Sequence, residues 1–342
     1  MNAGPVDATG LHYNPLVILA GDVGGTKTLL GLFAADERRP RPVEIRSYPT
    51  NDFSSFTDIL DAFARDAGRS LDVHAAAAGV AGPVVGGRAR LTKVPWEIDA
   101  AEITRRFGTV RVQLLNDLEA MGYGAGVLTA GEIVVLQEGV MRPDGNAVVI
   151  AAGTGLGEAY LHRVDGRLRP LPSEGGHADF APRTDREIEF LKMMRSEHGR
   201  AEFDQVLSGP GLLNLHRFTH GGAACEPMRD VPPEIGPATV SHAAMAGTCP
   251  ACVEALSMFV SLYGAEAGSL ALRGVATSGV YIGGGIAPKI LPALQDGRFM
   301  DAFRAKGVMA DLVAKIPVKV ILNPESGLLG AAVAAQEMLT SA

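Results

Sequence analysis

Cysteine is scarce here: three residues in a chain of 342. A small, odd number leaves no disulfide framework and suits a reducing cytoplasm. Cys249-Pro250-Ala251-Cys252 is a lone C-x-x-C without a second pair, so neither zinc nor redox work is expected of it. No apolar run reaches the ~18 residues a membrane helix needs, which argues against a membrane partner. Positive charge is not in excess. A net charge of −7 and a pI near 5.7 argue against nucleic acid or an anionic membrane surface as the main partner. The first ~14 residues lack the basic region and apolar core of a signal peptide, so 1–14 read as a flexible N-terminal tail. No G-x-x-x-x-G-K-[ST] occurs, which excludes a P-loop. Aromatics are few, and the single tryptophan, Trp96, reads as core packing.

What is present is apolar sequence, 47% of the chain, enough for two domains with sizeable cores. The organising stretch runs from Val17 to Phe33. It reads as two buried strands joined by Gly21-Asp22-Val23-Gly24-Gly25-Thr26-Lys27. Because a strand follows the turn, it is no Rossmann turn. Its glycines are expected to allow positive φ and the close approach of a ligand. Successive backbone N–H groups there form a nest for phosphate. Asp22 meets such an anion only through a cation, which points to Mg²⁺ held through water. A tight hairpin with a polar tip remains the plain alternative.

The pattern continues with a strand at 43–48, a helix from Phe56 to Arg65 capped by Ser54 or Ser55, and a buried strand at 73–80. A helix over 98–107 with Asp99 as its cap follows, then a strand at 110–115 with Asn116 and Asp117 at its end. The pattern then restarts. Strand 147–152, the turn Gly153-Thr154-Gly155-Leu156-Gly157 and a returning strand at 159–164 echo the opening hairpin in shape. Helices are expected at 185–198 and 251–273, a late strand over 280–287 with Gly283, Gly284 and Gly285, and a last helix over 328–339. Residues 219–247 are rich in Gly and Pro and read as a loop excursion.

Two glycine turns roughly 130 residues apart supply a cradle for a polyphosphate, as phosphoryl transfer requires. Asp117 has two readings: the cap of the next helix, or a general base for a sugar hydroxyl attacking a γ-phosphorus. Glu174, His177 and Asp179 crowd around two glycines. They read either as a His/carboxylate metal site or as hydrogen-bonding groups for a polyol.

The ordered set Gly-Asp-Val-Gly-Gly-Thr (21–26), Leu-Asn-Asp (115–117), Gly-Thr-Gly-Leu-Gly (153–157), Glu-Gly-Gly-His-x-Asp-Phe-Ala-Pro (174–182), Val-Leu-Ser-Gly-Pro-Gly (206–211), Gly-Gly-Gly-Ile-Ala-Pro (283–288) and Gly-Leu-Leu-Gly-Ala-Ala (327–332) resembles the bacterial ATP-dependent glucokinases. These belong to the superfamily of sugar kinases, heat-shock ATPases and actin. The match runs from about residue 16 to 340.

The resemblance implies an α/β fold of two ribonuclease-H-like (actin-like ATPase) domains around a central cleft. The small domain would hold 15–127 plus 323–342, because the last helix returns to it, and the large domain 128–322. ATP, Mg²⁺ and glucose would be the ligands, in a cytoplasmic homodimer. By the same resemblance Asp117 is the catalytic base, and Asn116, Asp117, Glu174 and His177 hold the glucose hydroxyls. Gly21 to Lys27, Thr154 and Gly155 hold the ATP phosphates, and Gly283 to Gly285 approach the adenosine. Two positions depart from the family pattern. Asp204 stands where many relatives have Glu at the sugar, and Glu202 is not expected to replace it. Lys93 stands where some relatives have Asn; Thr92-Lys93 also resembles the sugar site of eukaryotic hexokinases, so both are assigned to sugar binding. The cysteine-rich zinc motif of the related repressor and sugar-kinase family is absent, so the resemblance implies no structural zinc.

Overall fold

The computed structural model describes residues 16–68, 72–91, 94–109, 111–221 and 225–340. The expected tail at 1–14 and two sugar-site candidates, Thr92 and Lys93, lie outside them. The chain divides into two compact units. One runs to Val127 and resumes at Glu325; the other is Leu128–Pro324.

The first unit opens with β1 (Val17–Val23), β2 (Lys27–Ala34), β3 (Arg41–Pro49), α1 (Phe56–Asp66) and β4 (Ala75–Val80). A small three-stranded sheet follows, from β5 (Val84–Val85), β6 (Arg88–Arg90) and β7 (Glu97–Asp99). Then come α2 (Ala100–Phe107), β8 (Val112–Asn116) and α3 (Asp117–Ala125). The main sheet has the order β3-β2-β1-β4-β8. β1, β2 and β3 are antiparallel, while β4 and β8 run parallel to β1. Apart from Asp22 near the end of β1, β1 and β4 are apolar because both faces of the sheet are covered. On β4 the alternating alanines divide between them: Ala76 and Ala78 join Phe56, Ile59, Leu60 and Phe63 of α1, and Ala75 and Ala77 face the other way. α1 starts where the Ser55 hydroxyl accepts from Asp58 N at 3.1 Å, and α2 where Asp99 accepts from Ala101 N. Trp96 packs on the α1 side of the core.

The second unit contains β9 (Ile133–Gln137), β10 (Ala147–Ala152), β11 (Leu156–Val164), β12 (Arg167–Leu171), α4 (Asp185–His198), α5 (Gly209–Thr219), α6 (Gly236–Met245), α7 (Pro250–Arg273), β13 (Gly279–Gly283), α8 (Leu291–Leu294), α9 (Arg298–Arg304), α10 (Ala310–Val313) and β14 (Val318–Ile321). Its sheet has the order β12-β11-β10-β13-β14-β9. Three antiparallel strands are again followed by two that run parallel to the first of them. The echo between the two glycine hairpins thus extends to five strands of each sheet, with β9, antiparallel to β14, added only in the second. The chain then re-enters the first unit as α11 (Ser326–Thr340), which packs along α3, β1 and β4.

Three expectations are corrected. Residues 219–247 are not a loop throughout: 236–245 form α6, whose Val240, Ala243 and Ala244 join the core of the second unit. Gly236-Pro237 begins that helix, since Pro at its start loses no intrahelical bond. Second, α7 is long and apolar enough, by composition, to cross a membrane. Most of it is buried because α5, α6 and α9 pack around it, so its all-round apolarity is that of a core helix. Third, β13 ends at Gly283 and not at 287. Gly284 turns the chain at φ +82°, where a Cβ would stand 2.2 Å from Ala152 O.

Candidate active site

In the first unit, pairing across the sheet aligns Val23, Val80 and Asn116 at the C-terminal ends of β1, β4 and β8. Two inter-strand steps put the start of α3 about 10 Å from the end of β1. Residues distant in sequence therefore share one sheet edge, where α/β folds place their ligands.

None of Gly21, Gly24 and Gly25 has positive φ, contrary to the conformational reason expected for them. For Gly21 and Gly24 the structure shows close packing instead. Gly24 N donates to Lys27 O at 3.0 Å, closing the turn, and a Cβ on Gly21 would press on Ala78 at 3.1 Å. Thr50 anchors the turn from outside: its hydroxyl donates to Gly24 O at 2.8 Å, and its N–H to Thr26 O at 2.9 Å. Thr26 and Lys27 are exposed.

The Asp22 carboxylate lies against the first turn of α11. A Cβ on Gly327 would come within 3.1 Å of its Oδ2, a contact the carboxylate would have to ease by a few tenths of an ångström. Burial pushes the Asp22 carboxyl up to about 6, and Lys27 opposes the shift. A half-buried, oxygen-only donor beside a phosphate-type turn fits a hard cation such as Mg²⁺, which would restore the charged form. The raised value also sets a sign for stability. Protonated Asp22 favours the folded state at low pH, and that contribution fades between pH 3.8 and about 6. Without Mg²⁺ or nucleotide, Asp22→Asn is therefore expected to stabilise the protein by on the order of 1–3 kcal/mol above pH 7, with no gain at pH 4. Urea unfolding at the two pH values checks this, and the same variant should lose activity.

At the end of β8, Asn116 caps α3. Its side chain accepts from Leu118 N at 2.9 Å, while Glu119 accepts from Asn116 N at 2.8 Å. This capping box is worth roughly 1 kcal/mol. Asn116 Nδ2 also donates to Gly82 O at 3.3 Å. The cap is thus Asn116 and not Asp117. Asp117 occupies the first helical position, and its Oδ1 shares the Leu118 N–H at 2.9 Å.

In the second unit, the Gly153–Gly155 turn closes through Gly153 N to Gly155 O at 2.8 Å. Gly153 O accepts from Gly209 N at 2.8 Å, which ties the turn to the start of α5. Asp204 Oδ1 accepts from Leu156 N at 2.7 Å and would stand 2.6 Å from a Cβ on Gly155. Thr154 is exposed at the tip. Gly283 pairs with Ala151 in the parallel ladder, so Gly283, Gly284 and Gly285 adjoin this turn at the same edge.

Glu174 precedes a short helical turn, Gly175–His177. His177 Nδ1 lies 3.2 Å from Glu202 Oε1, so Glu202, and not Asp204, stands beside the histidine. Nothing in the spacing reveals this. It follows from the isolated bridge that pairs Asp179 with Glu202. Asp179 itself accepts from Arg200 Nε at 2.6 Å, and Arg200 also donates to His177 O at 2.5 Å. Asp179 Oδ1 is thus paired with a guanidinium, and Asp179 is not in the group of possible metal ligands found among the described residues.

Beneath this loop lies Glu158, fully buried on β11. A Cβ on Gly175 would fall 2.2 Å from its Oε2. Burial first, then the Glu266 carboxylate, push Glu158 up to about 8, with Arg273 opposing. Among the described residues its Oε1 has no hydrogen-bond partner. The wild-type chain therefore loses stability as pH rises from 4.5 through about 8. Glu158→Gln is expected to remove that slope. Its stability advantage, measured by urea unfolding, should widen from pH 5 to pH 8 and level off above.

Comparison with known proteins agrees in extent with these motifs. A family model described as Glucokinase matches residues 19–338. The glucokinase of a Nostoc species is 35% identical over 340 residues, 94% of this chain and 99% of that protein. The Synechocystis glucokinase is 37% identical, covering 93% and 98%. The crystal structure of a glucokinase from an Antarctic psychrotroph superposes with a TM-score of 0.83 at 29% identity, covering 95% of this chain and 99% of that one. A glycine-turn pair, a sheet edge carrying Asp22 and Asp117, and a match along nearly the whole chain lead to one statement: this chain belongs to the glucokinase family.

Proposed function

We propose that this chain transfers the γ-phosphoryl group of ATP to the 6-hydroxyl of glucose, giving glucose 6-phosphate and ADP. The observation that carries the reading is the shared sheet edge. It sets Asp117 about 10 Å from the Asp22 turn, in a chain matched nearly end to end by the family model. Asp117 takes the proton of the sugar hydroxyl as that oxygen attacks. A carboxylate is a weak base, but it suffices when proton transfer is late, as a loose phosphoryl transition state allows.

Asn116, held by its cap, presents Nδ2 to the sugar, and Glu174 with His177 accept and donate to its hydroxyls. Thr92, Lys93 and Asp204 are assigned to the same ligand. The shorter Asp204, already bonded to Leu156 N, acts chiefly by holding the Thr154-Gly155 turn, and Glu202 orients His177. The turns Gly21–Lys27 and Thr154-Gly155 take the phosphates, and Gly283–Gly285 the adenosine. Mg²⁺, when bound, neutralises charge on the phosphates, and Asp22 is the residue that would hold it, through water.

The sheet orders support a ribonuclease-H-like reading of each unit. A cytoplasmic homodimer completes the proposal, with sedimentation as the check on the dimer. The decisive experiment is a coupled assay of ADP release with and without glucose, run beside mannose, N-acetylglucosamine and polyphosphate as donor. Glucose with ATP is expected to give the highest kcat/KM. Equal ADP release with and without any sugar would refute the proposal.

A further inference from the structure

Away from the phosphate turns, α5 ends among three sulfur atoms. His216 and His220 lie one helical turn apart on one face, with ring centroids 4.0 Å from each other. His216 Nε2 is 3.3 Å from Cys225 Sγ, and Cys225 Sγ is 3.9 Å from Cys252 Sγ. One ligand atom from each of His216, His220, Cys225 and Cys252 lies within 4.8 Å of all the others. All three cysteines are free thiols. His220 Nδ1 is 2.9 Å from His216 O, so Nδ1 carries the proton and donates, and Nε2 keeps its lone pair.

We propose that these four residues bind one structural Zn²⁺. The distances carry the argument. A tetrahedral zinc with Zn–S of about 2.3 Å and Zn–N of about 2.0–2.1 Å has S···S edges near 3.8 Å and S···N edges near 3.6 Å. The separations of 3.9 and 3.3 Å match such edges. A disulfide would need the two sulfurs at ~2.05 Å. Two thiolates and two imidazoles are the donor set that selects zinc, and four protein ligands close the site to substrate.

The metal would join the end of α5, the segment at Cys225 and the first turn of α7, all within the second unit. Cys249 Sγ is 3.1 Å from His220 Nε2 but is not one of the four ligand atoms that all lie within 4.8 Å of one another, so it is left outside the proposed coordination sphere. The second ligand pair missing from the lone C-x-x-C is thus a histidine pair on a helix, with only Cys252 of the motif used. The site contains none of the residues assigned to phosphoryl transfer, and its test does not depend on that assignment.

The full-length protein, expressed with zinc in the medium and purified under reducing conditions, is expected to carry about one zinc per chain by elemental mass spectrometry. Replacing the metal with Co²⁺ should produce the strong visible bands of a tetrahedral site and a thiolate-to-cobalt charge-transfer band. Cys252→Ser should lose the metal, and Cys249→Ser should keep it. A zinc-selective chelator, with Mg²⁺ in excess, should lower the thermal midpoint of the wild-type protein by roughly 5 °C or more. Wild-type protein that is zinc-free and gives no tetrahedral cobalt spectrum overturns the proposal. So does purification of the pair as a Cys225–Cys252 disulfide. Retention of zinc in Cys252→Ser with loss in Cys249→Ser overturns the assigned ligand set.

Discussion

Asp117→Asn is expected to lower kcat for glucose phosphorylation by on the order of 10²–10⁴-fold, the range a positioned general base supplies. KM for glucose should change by only a few-fold, because the amide still accepts a hydrogen bond from a sugar hydroxyl. The fold should survive. Asn116, not Asp117, caps α3, and the carbonyl oxygen of the introduced amide can still share the Leu118 N–H. A thermal midpoint equal to that of the wild type therefore accompanies the loss of turnover. Steady-state kinetics with glucose and ATP varied separately reads both constants. If turnover stays within about threefold of the wild type, the assignment of the base is wrong, since a factor that small is worth under ~1 kcal/mol of barrier. Asn116→Ala makes a useful contrast. It removes the cap, should destabilise the chain by about 1 kcal/mol, and should raise KM for glucose.

Gly330→Ala is expected to have the largest effect on stability. A Cβ there would stand 1.6 Å from Ala120 O, which is backbone in α3 and has no rotamer to change. The same crossing is tight at Gly124, where a Cβ would meet Ser326 O at 2.3 Å. Accommodating one methyl group requires α11 to move off α3. Its alanines and Leu328 would then lose their contacts with β1 and β4. A destabilisation above about 3 kcal/mol follows, seen as a drop of roughly 10 °C in the midpoint or as insoluble expression. Activity should fall with it, because Gly327 on the same helix end abuts Asp22. Gly285→Ala is the matched control. A Cβ at Gly285 meets nothing within 4 Å, so its midpoint should stay within about 2 °C of the wild type. Calorimetry of the two variants distinguishes tight helix crossing from a general intolerance of alanine.

Local features of the chain are legible without coordinates. The two glycine hairpins, the Ser55 and Asp99 caps and the long helices announce themselves through short-range periodicity and capping chemistry. The helix at 236–245 escapes such reading because its Gly-Pro start resembles a loop, while the burial that stabilises it comes from α5 and α7, distant in sequence. Glu202 lies 25 residues from His177 along the chain, yet one backbone bridge sets them side by side. The zinc ligands are hidden for the same reason. His216, His220 and Cys225 fall within ten residues, but the fourth proposed ligand, Cys252, comes 27 residues after Cys225, so the set makes no contiguous motif.

By itself, then, the sequence determined which residue types and turns are present, and hence the family and its chemistry, because those signals are local. Only tertiary structure decided which side chains meet. Strand pairing brings the ends of β1 and β8 to one edge, helix crossing at Gly330 seats α11 against Asp22, and burial raises that carboxyl to about 6. Each of these depends on groups far apart in the chain becoming neighbours, and a distance or a lost water shell is a property of the folded neighbourhood alone.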